Sequence, residues 1–439
     1  MQRKYDIIIV GGGTAGCAAA YTAGKAGLKT LLIEKNIHLG GTITSGLVIP
    51  AMSSSKNQIN TDFFNVLVKE LKALKGQITY QDGNQGWFNP ELCKIALDRL
   101  MAKAKVEILF DTTVIGVNIV GKEINGLTIS SNMLSVYIAS NYIVDATGNC
   151  EIGVLSNCKF LENYPRSKAG KLVHQQISDK KENNFQPVSL RFEMGGIDLE
   201  VFSKWLLDYD KDRNVTTSAY IEGQIHLSTA YTGSGKWALE PLFKDALKQK
   251  VLKKEDISYF QVFTIPNMPD TLAFNCPRVY SNPEINPLDN IQLSKALVKA
   301  RESIVRIANF CKIYFPGFEN AYMANIADSL GVRVSRRIKG KYIYTVEDLK
   351  SGKKFKNPVV VGNYPIDVHS NKKGESVLEH TDKDYYLPIE ALMAADYDNL
   401  FIAGRCLSAD FYAQAALRIQ PSCFSMGEGV AKHIKKLTK

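Results

Sequence analysis

The chain has 439 residues, too long for one ordinary domain and enough for two or three. With 45% apolar and 22% charged residues it reads as a soluble globular protein, and no apolar run approaches the ~20 residues of a membrane span. Its formal charge of +10 is dispersed, apart from the short tail "KHIKKLTK", so a solvated basic face is expected rather than a nucleic-acid or membrane surface. The same excess could attract an anionic cofactor or substrate. None of the eight cysteines forms C-x-x-C, which leaves a zinc ribbon, an iron–sulfur run and a dithiol redox pair without support. Small packing cysteines in a reducing compartment are expected. With a first strand starting near Lys4 there is no room for a signal peptide, and a cytoplasmic location follows as the expectation.

The run "YDIIIV" is continuously apolar and bounded by glycine, as a parallel strand covered on both faces should be. "TAGCAAAYTAGKAG" predicts a helix of small residues able to pack close to a sheet, stopped by Gly27, and "KTLLIE" predicts the second strand. This is a βαβ unit. "INTDFFNVLVKELKALKG" predicts a helix with Asn60 or Thr61 as N-cap and Gly76 as its stop, and "NPELCKIALDRLMAKAK" a second with Pro90 in its first turn. The short runs "VEILF", "TVIGVNIV", "EINGLTIS", "LSVYIA" and "NYIVDATG" predict a three-stranded antiparallel meander that rejoins the main sheet at the last of them. From about 166 to 395 the chain is richer in Tyr, Trp, Phe and Asn, with polar loops such as "SDKKENN" and "SNPEINPLDN" and one long helical pattern closed by Pro316 and Gly317. At "DNLFIAG" the strand signal returns, and the chain ends in a helix from about Pro421 to Lys436. The expected architecture is α/β: a Rossmann-like, dinucleotide-binding domain at 1–165 and 396–439, with a parallel sheet and a meander, and an inserted α+β substrate or cap domain at 166–395.

Gly11, Gly13 and Gly16 form G-x-G-x-x-G between a predicted strand and a predicted helix. The first allows a tight turn, the second lets a pyrophosphate approach the backbone, and the third lets helix and strand pack closely. The helix start directs unpaired N–H groups and partial positive charge at the phosphates. Glu34 ends the second strand, where its carboxylate can accept hydrogen bonds from the ribose hydroxyls of an adenosine. The alternative is a glycine-rich turn with a packing role only. The fingerprint recognises the ADP half and does not say which dinucleotide carries it.

"HLGGTITSG", "VDATG", "NLFIAGR" and the terminal "SMGEGVAKHI" helix together resemble the glutathione-reductase-like FAD-binding oxidoreductases. More narrowly, "GVRVSRRIKGKYIYTVEDLKSGKKF", "YPIDVH" and "LFIAGRCLSADFYAQAALRIQPSCFSMGEG" resemble an FAD-dependent oxidoreductase group with "SRR-x-x-G", "YPIDIH" and "AGRC-x-S" motifs, many of whose members have no assigned substrate. The resemblance implies FAD extended across the main domain. Gly11, Gly13, Thr14, Ala15 and Gly16 would hold the pyrophosphate, Glu34 and Lys35 the adenosine side, and Gly40, Gly41 and Thr42 a loop closing over phosphate or ribitol. Ala146, Thr147 and Gly148 would form the strand-end turn, with Gly404 and Arg405 near the ribityl phosphate and Arg418 and Cys423 beside the flavin. The helix after Pro421 would point its amino end at the flavin N1–C2=O edge, where reduced flavin carries negative charge. The chain departs from the wider family in having Arg405 where an acid is usual, and "GEGVA" for "GQAAG".

Flavin performs the redox step, so the protein must position a substrate C–H and handle a proton. Candidates for that work are His369 of "YPIDVHS", Arg336 within the cluster Arg333, Arg336 and Arg337, and Tyr412. For His369 the alternative is an orienting, hydrogen-bonded histidine. An extended segment would put Arg333 and Arg337 on one face and Arg336 on the other, to bind an anionic substrate or an FAD phosphate, or to lie solvated. Tyr412 could stack, donate a proton or fill core. Cys423 near a helix start could have a lowered pKa, or be buried filler. Asp145 is expected to support structure, and "GWFNP" either gates a channel or packs on a helix.

The leading expectation is an FAD-dependent oxidoreductase that moves a hydride between a small, anionic or polar organic substrate and flavin N5. No second G-x-G-x-x-G is present for NAD(P)H, which leaves oxygen, a quinone or a protein as electron acceptor. No metal, membrane or nucleic-acid partner is expected. An NAD-dependent dehydrogenase and an RNA-associated, tRNA-modifying-like flavoprotein are the alternative readings; the second lacks a basic stripe interleaved with aromatics.

Overall fold

The computed structural model describes residues 4–80, 83–161, 185–211, 216–231, 238–279, 285–369 and 377–438. The expected boundary at 165 and the "SDKKENN" loop lie outside the described residues, as does part of "SNPEINPLDN".

A seven-stranded sheet forms the frame. Its parallel part runs Glu107–Leu109, Thr30–Ile33, Lys4–Val10, Leu134–Asp145 and Leu400–Ile402, so the first strand pairs on both sides and the late strand closes the far edge. The strands Thr113–Val120 and Glu123–Ser131 add the antiparallel meander onto Leu134–Asp145. The sequence reading separates "LSVYIA" from "NYIVD", but they form one strand, antiparallel to the meander from Leu134 to Ala139 and parallel to the first strand from Ala139 onward. Asn141 does not break it: the first strand pairs with Ser140 and Tyr142 on either side of it, and Asn399 Nδ2 donates to its carbonyl, which overrides its weak strand propensity. "VEILF" belongs to the parallel sheet, not the meander.

The unbroken apolar run of the first strand is explained by burial on both faces. Ile7 and Ile9 enter the core shared with the first and last helices, whereas Tyr5, Ile8 and Val10 enter the core on the opposite face. The first helix, Thr14–Lys25, packs against the last, Gln420–Leu437. A Cβ on Gly427 would stand 2.0 Å from the Ala15 carbonyl oxygen, so the two backbones meet where no side chain fits.

The aromatic texture of the middle of the chain becomes a second core. A six-stranded antiparallel sheet carries Phe192, Phe260 and Phe274 on one face, and Phe192 stacks on Phe274 at 4.3 Å between ring centroids. The helices Leu199–Tyr209, Glu240–Lys248 and Asn290–Tyr314 cover that face with Phe202, Phe243 and Phe310. Side chains between Val334 and Leu392 instead pack in the first core, with Val359, Val360, Tyr385 and Leu387 beside the last helix.

Helix Pro90–Lys103 starts as its sequence indicates. Asn89 Oδ1 accepts from the Glu91 and Leu92 N–H groups, while its Nδ2 donates to the Pro266 carbonyl at 3.1 Å, tying the cap to the second sheet. Asn89→Ala is therefore expected to cost about 1–2 kcal/mol, read as a shift in the denaturation midpoint at unchanged m-value.

Candidate functional site

The first, second and long parallel strands end side by side, Val10 against Ile33 and Asp145, and the loops that follow them open into one cavity of about 1420 Å³. Ordinary small-molecule pockets hold roughly 300–1,000 Å³, so this one accommodates a large ligand and something beside it. One wall is the loop after the first strand, with Gly11, Gly13, Thr14 and Ala15; beside it stand Glu34, Lys35, Gly41 and Thr42, then Ala146, Thr147, Gly148, Gly404 and Arg405. Arg418 and Cys423 line it near the start of the last helix, and His369 faces it from the strand-end loop after Val368.

Gly16 and Gly40 lie behind the wall. A Cβ on Gly16 would stand 1.8 Å from the Gly11 carbonyl oxygen, so its role is helix-to-strand contact. Gly40 donates its N–H to the Gly12 carbonyl at 2.8 Å, fastening the second glycine loop to the first. Gly13 is different. A Cβ there meets no protein atom within 4 Å and its φ of −74° suits any residue, so nothing in the polypeptide requires glycine at this cavity-facing position. A ligand lying against the backbone would require it.

Neither the first nor the last helix has a side-chain cap, and both start in the cavity wall. Glu34 accepts from the Gly12 N–H at 2.6 Å and the Asn36 N–H at 2.9 Å, one on each oxygen. A carboxylate has about four lone-pair positions, so it can still accept from ribose hydroxyls. Asp145 is fully buried and shapes the next loop, accepting from Thr147 N and Oγ1 on one oxygen and from the Ile152 and Gly153 N–H groups on the other. Burial raises its pKa despite these bonds. Arg405 donates to Asn149 Oδ1 at 3.0 Å and lies against Gly148; its Nε, like that of Arg418, is buried without a protein partner.

The far end of the cavity is built by Asp367. Its Oδ2 receives Arg418 Nη2 at 3.1 Å, His369 Nε2 at 3.3 Å and Tyr364 Oη at 3.5 Å. Burial alone would raise this carboxyl, but the His369 hydrogen bond and the Arg418 and Arg333 charges outweigh it and hold it well below the usual range. Burial, reinforced by the Arg333 charge, lowers His369 to about 3, so its ring is neutral at ordinary pH. The folded protein then resists a proton that the unfolded chain accepts near 6.5, and stability falls as pH drops from there toward about 3. Burial first, then the Asp367 charge, pushes Tyr364 up to about 12.

Two catalytic candidates lie elsewhere. Tyr412 is buried in the first core and packs edge-on against Phe411, because the helix Phe411–Leu417 turns that face inward. Arg336 donates to the Asn149 carbonyl behind the cavity wall. Of the arginine cluster only Arg333 lines the cavity; Arg337 donates to the Ala409 carbonyl at 2.7 Å. The Cys423 thiol is pushed up to about 12, because burial outweighs the Arg405 and Arg418 charges. Glu428 of "GEGVA" is fully buried, accepting from the Phe63 N–H and from Lys432, which places it in helix packing. Trp87 of "GWFNP" lines the cavity and packs edge-on against Phe263, which lies on the strand Phe260–Ile265 and not on a helix.

Asp367, Tyr364, Arg191, Arg278 and Tyr259 also line the cavity, and sequence reasoning passed them by. Asp367 and Tyr364 sit inside "YPIDVH", where the histidine drew attention. Arg191 is a lone basic residue between strand hydrophobics in "SLRFEM", a signal that it faces something other than solvent.

A family model for FAD dependent oxidoreductases matches residues 6–435, and the chain belongs to that family. FAD is therefore its cofactor, and the glycine wall, the two uncapped helix starts and the unpartnered arginine nitrogens fit that group. The chain is similar to the tRNA uridine 5-carboxymethylaminomethyl modification enzyme MnmG of Geobacter metallireducens, 26% identical over 41% of this chain and 29% of that one. It is also similar to the thiamine thiazole synthase of Saccharolobus islandicus, 29% identical over 33% of this chain and 55% of that one. These matches thus span less than two thirds of either relative. Among solved structures it resembles a geranylgeranyl bacteriochlorophyll reductase-like protein from Thermoplasma acidophilum, with a TM-score of 0.45 and 16% identity over 99% of this chain and 79% of that one. No helix among the described residues is long and apolar enough to cross a membrane.

Proposed function

We propose that the protein transfers a hydride between a small organic substrate and N5 of FAD, with the substrate held between the second sheet and the start of the last helix. The observation that carries this reading is the single cavity, with a glycine-lined cradle at one end and the Asp367, His369 and Tyr364 group at the other. When bound, FAD supplies the two-electron chemistry. The chain's own residues do the rest. Gly11 to Ala15 present backbone at the pyrophosphate, and Glu34 the ribose acceptor. The amino end of the last helix offers partial positive charge to a reduced flavin. Asp367 fixes the His369 ring through Nε2, burial and the Arg333 charge keep that ring neutral, and Tyr364 keeps its proton; these two groups hold or move the proton that accompanies the hydride.

Limits narrower than 166–395 are proposed for the substrate unit, because side chains from Val334 to Leu392 share the first core. A cytoplasmic location is proposed from the cysteines, all eight of which are free thiols buried in the fold. An NAD-dependent dehydrogenase is disfavoured by the family membership.

His369→Ala is expected to retain FAD while slowing flavin reduction by about 100-fold, read by anaerobic stopped-flow absorbance. The wild-type rate should show no inflection near pH 6.5 from this imidazole, whose pKa is about 3. Loss of FAD from the variant would make the residue structural instead. Anaerobic bleaching of the flavin against hydroxy acids, sugars and amines tests the function itself. A flavin that no such compound reduces or reoxidises would count against hydride transfer, and salt-sensitive retention of the protein on tRNA would favour the RNA-associated reading.

A further inference from the structure

Resting on the hydride-transfer reading, we propose that Arg191, Arg278 and Arg333 form an oxyanion subsite in the substrate end of the cavity, and that the substrate carries a carboxylate or phosphate group. All three line the cavity. Arg191 immediately precedes strand Phe192–Gly195, and its Nη1 donates to the Leu47 and Ile49 carbonyls at 3.1 Å each. Arg333 Nη1 donates to the Pro187 carbonyl at 2.5 Å and to Ser189 Oγ at 3.0 Å. Arg278 is 9% exposed, lies with its guanidinium carbon 3.5 Å from the centre of the Tyr259 ring, and its Nε is buried with no hydrogen-bond partner among the described residues.

Every one of these partners is neutral. Among the described residues, Asp367 is the only carboxylate within ion-pair distance of a cavity-lining arginine at this end, and it is already committed to Arg418 and His369. Among the described residues, four half-buried or buried guanidiniums therefore face one ion-paired carboxylate at this end; Asp328 and Glu255 also line the cavity, but neither is within ion-pair distance of any of the four. Burying a charge without a counter-charge costs several kcal/mol even after relaxation, so a fold that needed only to pin loops would not gather arginines here. The groups are near enough to disfavour one another: burial, then the Arg278 and Arg418 charges, lowers Arg333 to about 9. A bound anion would relieve that repulsion.

Loop pinning accounts for one nitrogen each of Arg191 and Arg333, and each guanidinium has five N–H donors in a planar fork suited to a carboxylate or phosphate. The FAD pyrophosphate is not the missing counter-ion. Its cradle is the Gly11–Gly16 turn, where Arg405 stands beside Gly148, whereas the charges that act on Arg333 come from Arg278, Arg418, Asp367 and Arg191. The contact with the Tyr259 ring occupies the face of the Arg278 guanidinium carbon and leaves its N–H groups as the donors an oxyanion would meet.

The test is titration of the FAD-loaded protein with sodium acetate, sodium malonate and inorganic phosphate at constant ionic strength, followed by the flavin difference spectrum and by calorimetry. Saturable binding is expected. Arg278→Gln and Arg333→Gln should each weaken it by about tenfold or more at unchanged FAD content, while Arg336→Gln, behind the wall, should bind as wild type. Tighter acetate or malonate assigns a carboxylate substrate, and tighter phosphate assigns a phosphate ester. Where a glutamine variant does not fold, Arg278→Lys keeps the charge, removes the fork and should weaken binding as well. Absence of saturable binding to the wild type, equal binding by the folded variants, or displacement of FAD by the anions would overturn the subsite. A protein that holds no FAD at all would instead overturn the reading on which the subsite rests.

Discussion

Gly13→Leu should yield a folded protein that carries no flavin. The reason lies in the space around Gly13. A Cβ there meets nothing within 4 Å, and the φ of −74° is open to leucine, so the polypeptide has no objection to the side chain. The melting temperature of the apoprotein should stay within a few degrees of wild type. The added side chain would project into the cavity at the uncapped start of the first helix, where a pyrophosphate must approach the backbone N–H groups to gain from them. Moving the phosphates outward forfeits those bonds, and an FAD affinity lower by at least about 100-fold, or about 3 kcal/mol, is expected. Absorbance near the flavin maximum and fluorimetric FAD content check it. A yellow Gly13→Leu protein with normal FAD content would contradict the placement.

Gly16→Val should fail in the opposite way. Its Cβ would stand 1.8 Å from the Gly11 carbonyl oxygen and 3.2 Å from the Ala146 side chain, and the first of these is backbone that cannot step aside. The first helix would have to lift off the strand that precedes it. That helix also carries Ala18, Ala19, Ala20 and Ala23, all fully buried, so a shift would open the core along its length. A loss of more than about 3 kcal/mol is expected, seen as aggregation on expression or a lowered denaturation midpoint without added FAD. Two glycines of one fingerprint, three residues apart, thus separate binding from folding.

That fingerprint was legible because its physics is local: an apolar strand, a turn that only glycine makes, a helix of small residues and an acid at the end of the next strand. The helix with Pro90 in its first turn and the meander were legible for the same reason, whereas that helix's Asn89 cap was seen only in the fold. The second sheet was not, because its strand Phe192–Gly195 pairs with Met268–Phe274 and Tyr322–Ile326, segments far apart in the chain whose register no local pattern encodes. The same holds for Pro358–Gly362 and Tyr385–Pro388, which pair with each other and pack beside the last helix rather than with the segment around them.

Side-chain roles were harder still. Cys423 near a helix start suggests a lowered pKa, but burial dominates and raises it. Tyr412 reads in sequence as a stacking ring, a proton donor or core filling, and only the buried helix "FYAQAAL" shows that it fills core. Arg191 and Arg278 lie 87 positions apart and become neighbours only because Arg278–Val279 pairs with Val188–Ser189. A charged residue in a single sequence reads as solvated by default, and only the fold shows which ones face a cavity.

The central claim is that FAD lies with its ADP half against the amino end of the first helix and its isoalloxazine ring toward the last. A crystal structure of the FAD-loaded protein tests it most directly. The account predicts pyrophosphate oxygens within hydrogen-bond reach of the N–H groups that follow Gly13, ribose hydroxyls on Glu34, and the flavin pyrimidine edge at Gln420 to Cys423. A cofactor bound elsewhere, or one reversed with its ring at Glu34, would contradict it.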